Sequence, residues 1–177
     1  MSGRGGADNL ERDMRQAIAH LNSLADTYAA GAKTFTTYVT IATRMREELT
    51  GGRSEAVAKV ATSLQNLTAT MHAAHSMMEE SGKEAMAGAE ALVEIIPHVA
   101  PPLLGEEAQA ANAVAESTSR VLDALSAWNE ALPHLRGYST EVDEAVAAFA
   151  RAVQGASEFY ASIRARALAI AASTSGQ

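Results

Sequence analysis

The sequence predicts an all-α protein, an antiparallel bundle of long helices. Three observations predict it. Apolar residues recur at alternating four- and three-residue intervals along most of the 177-residue chain, the 3.5-residue repeat of helices that wrap around one another. Of only four prolines, three fall within residues 97–102, so the flanking segments run long without a breaker. No stretch alternates apolar and polar residues between turn signals, as a strand would.

The first helix is predicted over residues 9–50. Its core positions are Leu10, Met14, Ala17, Leu21, Leu24, Tyr28, Gly31, Phe35, Tyr38, Ala42, Met45 and Leu49. The small residues Ala17, Gly31 and Ala42 invite close approach of a neighbour. Asp8 or Asn9 can cap the start, with Glu11 completing a capping-box-like pair with Asp8. "TGGRSE" at 50–55 stops this helix at glycine and offers Ser54 as the next cap.

The second helix is predicted over 54–96, with its frame running Val57, Val60, Leu64, Leu67, Met71, Ala74, Met78, Ser81, Ala85, Gly88, Leu92, Ile95 and Val99. A short Gly-Gly connection makes the first two helices an antiparallel hairpin. "IIPHVAPPLLGEE" at 95–107 then breaks the pattern: proline cannot donate a backbone hydrogen bond and drives the preceding residue out of the α region. The next heptad, from Val114, is one residue out of frame with Val99, so this stretch reads as a turn. Pro102 suits the first turn of a new helix, and Glu106 and Glu107 suit its positive end.

The third helix is predicted over 102–136 through Val114, Thr118, Val121, Leu125, Trp128, Leu132 and Leu135. "LPHLRGYSTEVDE" brings Pro133, Gly137 and a Ser139 or Thr140 cap, so local chemistry predicts a stop and a restart over 140–173. The heptad nevertheless continues in frame from Ser139 through Val142, Val146, Phe149, Val153, Ala156, Tyr160, Ile163, Ala167 and Ile170. Two arrangements follow: three long helices with the last kinked, or a chain reversal closing a four-helix bundle. Residues 9–173 form one domain in either case, with flexible ends at 1–8 and 174–177.

Composition narrows the function. A net charge of −7 with only three lysines argues against nucleic acid as a partner. The chain has no cysteine, so disulfides and thiolate metal sites are excluded. "MSGRGGADN" lacks the apolar region of a secretory signal and no run approaches a membrane span, so the expectation is a soluble cytoplasmic protein, peripheral to a membrane at most. No phosphate-binding glycine loop or nucleophile elbow is present.

In "MHAAHSMMEE" at 71–80, His72 and His75 lie one turn apart with Glu79 beyond them, a set that could bind zinc or iron. The frame, however, gives the core to Met71, Ala74 and Met78 and turns His72 outward. The expectation is a partly solvated helix face, with no metal, no cofactor and no catalytic residues. Met71, Met77, Met78 and Met86 offer either gap filling or an adaptable groove for a partner helix. The candidate lipid or partner contacts are arginines: Arg44, Arg46 and Arg53 near the first turn, and Arg164 and Arg166 near the end, where each could contribute about 1 kcal/mol against anionic headgroups.

The stretch "AAGAKTFTTYVTIATRMREELTGGRSEAVAKVATSLQNLTATMHAAH" resembles the first hairpin of inverse-BAR domains, and "AVQGASEFYASIRARAL" is similar to the last helix of BAR-type domains. The resemblance implies an antiparallel homodimer that scaffolds, senses or shapes an anionic membrane surface. The alternative from the residues alone is a compact four-helix interaction module for a protein partner. The sequence departs from the dense lysine and arginine surfaces of the BAR superfamily.

Overall fold

A computed structural model describes residues 3–175. These residues are helical almost throughout and contain no strand, as the repeat predicts. Helix α1 spans Gly3–Thr50, α2 Ser54–Leu92, the single-turn α3 Ile96–Val99, α4 Leu103–Ala131 and α5 Thr140–Ser175; a 3-10 turn, Leu132–Leu135, follows α4.

The chain forms two compact units. The first comprises Met1–Ala30, Glu80–Ser119 and Ala161–Gln177; the second comprises Gly31–Glu79 and Arg120–Tyr160.

In α1 the frame holds over its whole predicted length: Met14, Leu21, Tyr28, Phe35, Ala42 and Leu49, each seven residues apart, are all buried. Of the other predicted positions Leu10 is 37 % exposed, and Ala17, Gly31 and Tyr38 are half-buried, with Ile18 and Ala32 buried beside the first two. The helix starts at Gly3 rather than near residue 9, so Asp8 and Asn9 lie inside it and the expected capping box does not form. Residues 5–10 are exposed and add no core. The predicted flexible ends lie within helix at 3–8 and 174–175; residues 1, 2, 176 and 177 lie outside the described residues.

The α1–α2 turn is built on glycine as expected. Gly51 N–H donates to Glu47 O at 3.1 Å, and Gly52 takes φ 71°, the left-handed region that closes a helix end. Val57 N–H donates to Arg53 O at 3.0 Å, which makes Arg53 the cap and Ser54 the first helical residue.

In α2 the expected frame fails in its second half. Leu64 and Met71 are buried and Met78 half-buried, but Gly82, Met86 and Ala89 then take the core in place of Ser81, Ala85 and Gly88. A straight α-helix has 3.6 residues per turn and drifts about 20° per strict heptad, which amounts to one residue in about five heptads. The shift carries Ile95 and Val99 out to 39 % exposure each and brings Ile96 and Ala100 inside. Helix α2 ends at Leu92, not 96, and Pro97 sits in the first turn of α3. Pro101 and Pro102 form the turn before α4.

The third and fourth frames are fully buried, from Val114 to Leu135 and from Val142 to Ile170 at every predicted position. Within the second unit the rings of Trp128 and Phe149 lie 4.8 Å apart, edge to face at 74°. A continuous helix would hold residues so far apart in sequence at roughly 30 Å. The chain therefore reverses between α4 and α5, and the bent-rod arrangement is excluded.

The reversal has identifiable causes. Pro133 lies in the 3-10 turn, and Gly137 at φ 91° takes a conformation that side chains strain against. Gly137 N–H donates to Asp143 Oδ1 at 2.9 Å, and Val142 N–H donates to the Ser139 hydroxyl at 3.1 Å, capping α5. Gly137→Ala is expected to lower the unfolding free energy by about 1–2 kcal/mol, measured by urea denaturation. No loss would show that the turn tolerates a side chain in the left-handed region.

Candidate functional site

The predicted arginines divide between the two units. In the second, Met45 and Leu49 anchor the end of α1 in the core, which leaves Arg44 and Arg46 on the outward face; Arg53 stands at the cap of α2. All three are exposed and make no ion pair among the described residues. Glu47, Glu48 and Glu55 are exposed in the same stretch, so this end carries both signs of charge.

In the first unit the arginines are engaged internally. Arg166 grips Glu90 of α2 with two parallel hydrogen bonds, Nε to Oε1 at 2.6 Å and a terminal nitrogen to Oε2 at 3.0 Å. The hydrogen bond from Arg166 holds the Glu90 carboxyl below its ordinary value and raises the guanidinium in turn. This fork lies in a shallow depression of about 300 Å³ lined also by Val93, Glu94, Ala169, Ile170 and Ser173. Arg164 Nε donates to the Ser119 hydroxyl at 2.8 Å, tying α5 to α4.

The histidines fall where the frame places them. His72 is exposed, while His75 is half-buried with its ring edge-on to Phe159 at 5.2 Å and its Nε2 3.6 Å from Glu79 Oε2. Among the described residues no group of three His, Asp or Glu stands close enough to hold a metal ion.

The methionines do not line a groove. Met71 and Met86 are core residues, and Met78 receives a hydrogen bond on its sulfur from the Tyr160 hydroxyl at 2.8 Å. The tip of Met78 also fills the space over Gly31, where an added Cβ would sit 3.3 Å from it, so Gly31 permits the close packing its size suggests. Burial raises the Tyr160 hydroxyl well above its ordinary range.

One polar residue escaped the sequence reading. Glu107, expected at a solvated helix start, is 0 % exposed, and neither carboxylate oxygen has a hydrogen-bond partner among the described residues. Burial alone pushes its carboxyl up to about 7. The signal was available: stepping back from Val114 by four, three and four gives Ala110, Glu107 and Leu103, all buried. Thr118, the other polar residue on this stripe, donates to Val114 O at 3.0 Å and Ala115 O at 2.9 Å within its own helix.

No family model, curated protein or solved structure matches this chain. Its function is therefore argued from its own residues. Among the described residues no helix is long and apolar enough to cross a membrane.

Proposed function

We propose that this chain is a non-catalytic helical-bundle module that binds a protein partner. The observation that carries the reading is the reversal between α4 and α5. A bent rod would leave part of its apolar stripe exposed, to pair with a second copy. Here the stripe positions from Val114 to Leu135 and from Val142 to Ile170 are buried within the chain itself. The remaining exposed large apolar side chains are scattered, with Met77 and Leu168 on helices and Tyr138 in the turn before α5. Such residues are normal on a monomer surface. A net charge of −7 favours a partner with a basic contact face.

A second reading, a BAR-like homodimeric scaffold on an anionic membrane, draws support from the exposed Arg44, Arg46 and Arg53. One paired experiment separates the two: light scattering for mass, and co-sedimentation with phosphatidylserine-containing vesicles. The module reading expects a monomer of 18.5 kDa that stays in the supernatant. A species of twice that mass that pellets with vesicles, and is released by Arg44→Glu, Arg46→Glu and Arg53→Glu together, would replace it with the scaffold.

A further inference from the structure

Glu107 has no part in the proposed partner binding, yet a fully buried carboxyl without a hydrogen bond among the described residues is the least expected group in this core. It occupies a core position of α4 between Leu103 and Ala110, with Ala111 and Val114 one turn further on, all of them buried. Within the first unit, Ser119 of α4 meets Arg164 of α5. The two helices run in opposite directions, so Glu107 lies at about the level of Thr174. That residue is also buried, and its hydroxyl is directed to its own helix, at Ile170 O (2.9 Å) and Ala171 O (3.2 Å).

Charged neighbours do not relieve the carboxyl. At this end of the unit the chargeable groups on the surrounding elements are Glu11, Arg12, Asp13 and Arg15 of α1, Glu90 and Glu94 of α2, His98 of α3 and Arg166 of α5. All but the half-buried Glu11 and Arg166 are exposed. Arg15 is held by Glu11 at 2.9 Å and faces Glu106 at 3.8 Å, Arg12 lies 3.8 Å from Asp13, and Arg166 is bound to Glu90. None reaches Glu107, whose two oxygens have no hydrogen-bond partner among the described residues.

We propose that Glu107 is a proton-operated latch of the first unit: the neutral carboxyl is held among the apolar side chains of α4 and keeps this end closed, whereas the ionised carboxylate must be hydrated and opens the α2–α4 connection to water. An ionised carboxylate cannot remain dry without a partner. The range in which the latch works follows from burial, which pushes the carboxyl from 4.5 up to about 7. The closed state is therefore fully supported below the lower value and loses that support as pH rises through the upper one. The inference is independent of what the module binds.

The test is hydrogen exchange on the full chain at pH 5.5 and 8.5, corrected for the intrinsic pH dependence of exchange. Amides of α3 and the first turns of α4 are expected to lose roughly 30-fold in protection across that interval, while Glu107→Gln, isosteric and unable to ionise, stays flat. Should the Gln variant not fold, Glu107→Leu serves as the same control. Unchanged protection in the wild-type chain, the same loss in either variant, or a loss spread equally through the second unit would overturn the latch.

Discussion

Trp128→Ala is expected to lower the unfolding free energy by about 3–5 kcal/mol, the range for removing a large aromatic side chain from a packed core. Trp128 is 0 % exposed and meets Phe149 edge to face. The substitution therefore loses both apolar burial and the ring pair that joins the two arms of the reversal. Because this is the only tryptophan, the measurement has to use circular dichroism in urea rather than fluorescence. Trp128→Phe is expected to lose less than half as much, since the indole N–H has no hydrogen-bond partner among the described residues and its removal leaves no orphaned acceptor there. A loss below about 1 kcal/mol for the Ala variant would mean that the two arms do not depend on this contact.

Glu107→Leu is expected to have the opposite sign. At pH 8 the carboxyl, pushed up to about 7, is largely ionised in the folded chain, and the substitution removes that destabilised charge. The expected gain is about 2 kcal/mol, read from urea midpoints. The sign follows from linkage. Between 4.5 and about 7 the folded state holds a proton that the unfolded chain gives up, so wild-type stability falls as pH rises through that window. The advantage of Leu accordingly shrinks as pH falls toward 4.5. An equal gain at pH 5 and pH 8 would sink the assignment of the effect to ionisation, and would leave only better packing of the apolar side chain.

The repeat revealed which face of each helix is buried, and it did so well where a strict heptad and a helix's own period agree. Every predicted position of α4 and α5 is inside. Where the two periods diverged, in α2 after Met78, the frame pointed one residue short. Direction was not legible from the frame at all. The match between Leu135 and Ser139 suggested a continuous helix, whereas Pro133, Gly137 and the Ser139 cap correctly marked a reversal. A repeat records burial, and a reversed helix is buried just as periodically.

The candidate site was less legible. Periodicity placed His72 on the outside, but it could not show that Arg166 closes on Glu90, because that pair joins residues distant in sequence. Glu107 was misplaced by a sound local rule: an acidic residue near a helix start normally meets solvent and the positive end of the dipole. Here the core stripe extends back to Leu103 and claims the position.

The burial of the methionines gives the chain a chemical clock. With no cysteine present, its sulfur chemistry rests entirely on thioethers. Met77, 74 % exposed, is the described thioether most open to peroxide, and its sulfoxide would face solvent without disturbing the core. Met14 and Met86 are sealed in the first unit and Met45 and Met71 in the second. An oxidant reaches each of these sulfurs only when its surroundings open. The order in which sulfoxides accumulate would therefore time the opening of each unit separately, with no label attached.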